Sequence, residues 1–184
     1  MPLQQIPGKE IKDRGITSDD IDDLAIESRH IKPKSILPEQ LDLQTMSGFS
    51  VYKATTIQAI NTNTWTKVTF NTEIYDMLNE FNLSQSRFVA LSDGTYTFSL
   101  SIEWSSDAPA NRVRASLYVN GSSKAQVFDQ TASSKITVTT HASSGTATIK
   151  LKAGDYVEVY CYTSDGTDVT YGPDLTYFNG IKTS

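Results

Sequence analysis

From Phe49 onward, apolar and polar residues alternate in short runs, and no other feature narrows the fold of this chain as far. The runs read "FSVYKATT", "TWTKVTF", "RFVAL", "GTYTFSLSIEW", "RVRASLYV", "KITVTTH", "GTATIKL", "DYVEVYCYT" and "LTYFNGI". Successive side chains of a strand point to opposite faces, so such alternation predicts strands with one buried face. Turn signals separate them: Ser92-Asp93-Gly94, Asn120-Gly121, Ser144-Gly145, Ala153-Gly154-Asp155 and Asp165-Gly166. Asn120-Gly121 is a hairpin signal, because both residues tolerate positive φ. Eight to ten short strands punctuated this way predict an all-β antiparallel sandwich or jelly roll. The segment "TEIYDMLNEFNLS" interrupts the pattern and reads as a helical turn or a loop.

The composition changes near Ser47-Gly48, which divides the chain into residues 1–47 and 48–184. Upstream, most charge clusters occur and Phe, Trp and Tyr are absent; an apolar residue returns every fifth position. Ile6, Ile11, Ile16, Ile21, Ile26, Ile31, Ile36, Leu41 and Met46 all keep that register. "TSDDIDDLAIESRHI" alone suits a helix of two to three turns, with Thr17 or Ser18 as N-cap and acids in the first turn. The full series does not suit a helix: five residues advance it by about 140°, which spirals the anchors around every face. Gly8, Gly15, Pro33 and Pro38 also interrupt one. A plain strand sends odd-spaced anchors to alternate faces. Extended pieces joined by bends do turn every fifth side chain to one side. A single chain of this kind buries too little to offset its ordering entropy, whereas three chains around an axis enclose the isoleucines in layers. The repeat therefore predicts an interchain stalk, extended but accommodating a short helix.

Charge and motifs exclude several functions. Net charge is −5, and Lys and Arg nowhere cluster among aromatics, which argues against nucleic-acid binding through counterion release. No apolar run approaches the roughly 18 residues of a membrane span, so no membrane insertion is expected. "MPLQQIPGKEIKD" lacks the basic start and apolar centre of a secretory signal. Cys161, the single cysteine, sits in the alternating run "YVEVYCYTS" and reads as a buried structural thiol. His30 and His141 have no metal-ligand spacing, and no nucleophile elbow or phosphate-binding loop occurs. No cofactor is expected. The acids Glu73, Asp76, Glu80, Glu103 and Asp107 give no sign of a glycosidase pair, so an enzyme is not expected. Asp19, Asp20, Asp22 and Asp23 read as solvated helix-start acids.

Residues 49–184 resemble the jelly-roll head shared by the complement C1q and tumour-necrosis-factor superfamily. The resemblance is carried by "FSVYKAT", "WTKVTFNTEIYD", "SRFVALSDGTYTFSLSIEW", "IKLKAGDYVEVYCY" and the closing "LTYFNGIKTS". It implies a homotrimer built through aromatic residues, with Tyr96, Phe98, Tyr118, Tyr160, Tyr162 and Phe178 as interface candidates. It also makes "TSDGTD", with Asp165 and Asp168, a candidate calcium site, against the simpler reading of an Asp-Gly turn. The pattern "GITSDDIDDLAIESRHIKPKSI" resembles isoleucine-pentad segments of fibre and appendage proteins in tailed bacteriophages.

Together these resemblances imply a virion structural protein, a trimeric spike assembled in the host cytoplasm and exposed on the virion surface. Its N-terminal segment would grip coat or tail subunits. A stalk of fewer than fifty residues favours capsid decoration or a head fibre. The alternatives are a tail-fibre protein contacting a host surface glycan or protein, and a secreted trimeric adhesin.

Overall fold

The structure, a computed structural model, describes residues 47–105, 112–131, 140–165 and 167–184. The five-residue series from Ile6 to Met46 lies outside the described residues, as do His30 and Asp107.

The described residues form two antiparallel sheets. The first contains β1 (Gly48–Tyr52), β2 (Gln58–Ile60), β4 (Thr72–Asp76), β7 (Gly94–Ser105), β10 (Thr140–Leu151), β12 (Thr167–Val169) and β13 (Tyr177–Lys182). The second contains β3 (Thr66–Lys67), β5 (Phe81–Asn82), β6 (Arg87–Val89), β8 (Arg112–Val119), β9 (Ser122–Thr131) and β11 (Tyr156–Thr163). Strand β7 organises the first sheet, pairing along its length with β10 and, on its other edge, with β13 and β12. Strand β11 organises the second, between β8 on one side and β6 and β3 on the other. This is the all-β antiparallel jelly roll that the alternation predicted.

Parity decides what is buried. On β7, Tyr96, Phe98, Leu100, Ile102 and Trp104 share one face and each is no more than 1% exposed. Val157, Val159 and Cys161 do the same on β11, and Val113, Ala115 and Leu117 on β8. Phe49 is the hub of an aromatic cluster, its ring 5.0–5.1 Å from those of Phe88, Phe81 and Phe178, with Phe98 at 6.3 Å. The indole N–H of Trp104 donates to Ser143 Oγ, 3.3 Å away, which relieves the cost of burying a polar atom.

Local chemistry explains the connections. Asn120 and Gly121 adopt φ of 51° and 78° and close the β8–β9 hairpin, with Val119 opposite Ser122. Ser144-Gly145 is not the turn its composition suggested. Both lie inside the twelve-residue β10, and a Cβ at Gly145 would come within 2.6 Å of the Val127 carbonyl oxygen. Glycine serves there for close backbone approach. The interruption "TEIYDMLNEFNLS" is also corrected: Thr72–Asp76 is a strand paired with β1, and only Leu83–Gln85 forms a short 3-10 turn. Asp76 shapes the bend, its two carboxylate oxygens accepting from the Glu80 and Phe81 amides at 2.9 and 2.7 Å.

Cys161 is fully buried and unpaired, and burial pushes its thiol pKa up, away from the reactive thiolate. A thiol reagent such as Ellman's should leave the native protein unlabelled and modify Cys161 only in guanidinium chloride. Rapid labelling of the folded protein would contradict the buried position.

Candidate functional site

Two exposed sheet faces are the surfaces this fold offers for contact. The outer face of the first sheet is built from residues of opposite parity to the core. It carries a hydroxyl ladder, with Thr97 against Thr148 at 3.0 Å, Ser99 against Thr146 at 3.2 Å, and Ser50 donating to Asn179 at 2.7 Å. At its β1–β13–β4 side stand Ile74, Met77 and Ile181, each 50–58% exposed. A Cβ placed on Gly48 would lie 3.4 Å from Ile181 and 3.5 Å from Met77, so these two chains flank the start of β1. Exposed aliphatics gathered beside a polar ladder are the composition of a surface that meets another protein surface.

The outer face of the second sheet is aromatic and polar instead. Tyr118 and Tyr160 stack with ring centres 4.1 Å apart. Trp65, immediately before β3, lies 6.0 Å from the Tyr118 ring and 5.6 Å from that of Tyr162. Small Ser116 sits opposite Tyr160 in the β8–β11 register, which leaves space above it for these rings. The Arg114 guanidinium carbon is 5.3 Å from the Trp65 ring centre and 5.8 Å from that of Tyr162. Planar polar groups rim the rings. Arg112 forms a two-pronged pair with Asp129 at 2.8 and 2.6 Å, which holds the Asp129 carboxyl below its usual pKa. Arg114 Nε donates to Gln126 at 3.2 Å, and Tyr162 OH donates to Asn63 Oδ1 at 2.7 Å. Lys67 pairs with Glu158, and Tyr160 OH reaches the same carboxylate at 3.4 Å. Partial burial raises the pKa of both Tyr118 and Tyr160, so these phenols stay protonated at neutral pH.

The aromatic candidates thus divide. Tyr96, Phe98 and Phe178 are corrected: they are 0–1% exposed inside their own chain and have no surface left for a partner. Their parity is that of Leu100 and Ile102 on β7, and β13 turns Phe178 inward with Gly180. Tyr118, Tyr160 and Tyr162 have the opposite parity from Leu117, Val159 and Cys161 and stand on the outer face. Sequence reasoning missed Trp65, Arg114 and Asn63, because only folding brings residues 63–65 against residues 114–162.

The calcium candidates are separate in role. Asp165 accepts from Ser164 Oγ at 2.7 Å in the turn after β11, while Asp168 lies on β12 opposite Ala59. No cluster of three or more His, Cys, Asp or Glu placed to hold a metal occurs among the described residues.

Among the acids of the described residues, Glu80 differs from an ordinary surface carboxylate. Glu80 is only 2% exposed, and neither its carboxylate oxygens nor the Ser47 hydroxyl makes a hydrogen bond of good geometry. Burial raises the Glu80 pKa above the ordinary carboxylate value; the nearby Ser47 hydroxyl works against this and the Asp76 charge reinforces it. A raised folded-state pKa means that stability from this group is present at low pH and lost as pH rises through that pKa. Glu80→Gln should therefore stabilise the protein at about pH 8, by on the order of 1–3 kcal/mol, and change little near pH 3.5. Melting curves at the two pH values check this. A variant less stable at the higher pH would show that the charge is compensated.

Two packed antiparallel sheets with this strand order define a jelly roll. Residues 48–181 match the C1q domain, and the chain belongs to the C1q-domain family. Such C1q- and tumour-necrosis-factor-like domains typically trimerise and are typically non-enzymatic. Among solved structures, the globular domain of zebrafish complement 1qA superposes with a TM-score of 0.54 at 19% identity, over 75% of this chain and 98% of that one. The Eiger tumour necrosis factor of S. frugiperda gives 0.55 at 12% identity, over 76% and 94%. The chain is also similar to two Bacillus subtilis (strain 168) proteins. "Uncharacterized protein YqcC" is 29% identical over 142 residues, and "Phage-like element PBSX protein XkdV" is 31% identical over 151 residues. These matches take in 75% and 76% of this chain but only 39% and 22% of the relatives' own lengths.

Proposed function

We infer that the chain is a non-enzymatic structural protein of a phage or phage-like particle. It forms a homotrimeric spike, docked through residues 1–47 and carrying the head of residues 48–184 outward as capsid decoration or a head fibre. The observation that carries this reading is the kinship with a phage-like element protein across three quarters of the chain. The five-residue isoleucine series supports the docking role, since its anchors require partner chains to be buried. Subunit contact falls on the outer face of the first sheet, where Ile74, Met77 and Ile181 expose half or more of their surface. The outward tyrosines of the second sheet stay outside that contact. This face favours a second reading, a tail-fibre role in which the head touches the host surface.

Light scattering on the full chain tests the assembly. A particle of three times the 20.3 kDa chain mass is expected, and Ile181→Asp should reduce it to one. A stable wild-type monomer at micromolar concentration would overturn the trimer. Negative-stain imaging of the parent particle with a label on Ser184 tests the attachment: label on the capsid supports decoration, label on the tail supports the second reading. Particles without label overturn both.

A further inference from the structure

We propose that the outer face of the second sheet is a binding site for a neutral oligosaccharide, with Trp65, Tyr118, Tyr160 and Tyr162 as its platform. The inference rests on, and deepens, the reading in which the head touches the host surface. Partly exposed rings tilted against one another by 31–58°, rimmed by phenolic hydroxyls, amides and guanidinium groups, suit a ligand with apolar C–H faces and a hydroxyl rim. A sugar ring is such a ligand.

Three observations select this chemistry over others. Each carboxylate on the face already holds a cation: Asp129 takes both Arg112 and Arg114, and Glu158 takes Lys67, while Arg114 also lies over the rings and against Gln126. The small positive excess that remains is spread over guanidinium groups already engaged by a carboxylate, an amide and the rings, which suits a ligand that brings hydroxyl acceptors rather than a second set of charges. The large exposed apolar side chains, including Ile74, Met77, Leu91 and Ile181, belong to none of β8, β9 and β11. A protein-binding hot spot on those strands would be expected to surround its rings with such aliphatics, and this face has amides, hydroxyls and guanidinium groups in their place. The face is also long. Outward positions from Tyr156 to Tyr162 span about 20 Å of β11, enough for several linked rings. Beside the platform, the Lys67–Glu158 pair opens into a polar hollow of about 390 Å³, which Ser84, Gln85 and Arg87 also line. Arg87 in turn lies over the Tyr156 ring, 4.7 Å from its centre.

The geometry is held before any ligand arrives. Tyr162 is tied to Asn63, Tyr160 to Glu158, and the Arg112–Asp129 fork is closed, so little side-chain freedom remains to be lost on binding.

Isothermal titration of the full chain with cellohexaose, maltohexaose and chitohexaose tests the proposal, with poly(glycerol phosphate) as the charged comparison. At least one neutral hexamer should bind with Kd below about 1 mM. Trp65→Ala should weaken that binding about tenfold or more, with the chain mass in light scattering unchanged. Tyr171→Ser, at an exposed position after β12, should bind as wild type does. If Trp65→Ala does not fold, Tyr162→Ala is read in its place and carries the same expectation. The proposal is overturned by absence of binding to all three neutral hexamers, or by binding that survives loss of the platform ring. It is equally overturned if only the phosphate polymer binds, or if Trp65→Ala alters the oligomeric mass, which would make the face a subunit contact. A monomer that binds sugar would remove the trimer alone, whereas a trimer that ignores sugar would remove this site alone.

Discussion

Phe49→Ala should destabilise the head by about 3–5 kcal/mol and lower its melting temperature by roughly 10–20 °C. The ring is wholly buried and meets Phe81, Phe88, Phe98 and Phe178, which come from four other strands and from both sheets. Truncation removes the transfer free energy of an aromatic side chain and leaves a cavity that stiff neighbouring rings fill poorly. Against a typical total stability of about 5–15 kcal/mol, that is a large fraction. Phe49→Leu keeps most of the volume and should cost clearly less. Thermal melts followed by circular dichroism read both variants. If the alanine variant melts within a few degrees of wild type, Phe49 is not the hub that links the sheets.

Aspartate at both Ile16 and Ile26 should abolish incorporation into particles while the head keeps its fold and its oligomeric mass. Each buried aliphatic contributes on the order of 1.5–3 kcal/mol, and a trimer repeats the contribution in every chain. Carboxylates placed in such layers add desolvation and mutual repulsion, which a modest docking energy does not offset. Lys34→Ser and Glu27→Ser stand off the five-residue register and should incorporate normally. Quantifying the protein in purified particles decides the matter. Incorporation of the double aspartate variant at wild-type levels would remove the register as the anchor.

Much of the head was legible before folding because strand parity is a local property. In "GTYTFSLSIEW", Tyr96, Phe98, Leu100, Ile102 and Trp104 already share one parity, and that parity is the buried one. The same reading, applied strictly, would have placed Tyr96 and Phe98 in the core and left Tyr160 and Tyr162 outside, opposite the valines of β11. The resemblance to trimeric heads with aromatic interfaces pointed the other way for Tyr96 and Phe98. Asn120-Gly121 was readable as a hairpin because a two-residue turn depends only on its own φ angles.

Ser144-Gly145 was not readable, because the reason for its glycine lies in Val127, on another strand. Nor was the short strand Thr72–Asp76, whose exposed Ile74 and Tyr75 break the usual pattern of burial. The sequence by itself determined the strand alternation, the hairpin at Asn120-Gly121 and the boundary where aromatic content begins, since each depends on neighbours within a few residues. Only the tertiary structure decided which aromatics meet. Trp65 joins Tyr118 and Tyr162 because β3 and β8 flank β11 in one sheet, a pairing between residues some fifty to a hundred apart that no local pattern encodes.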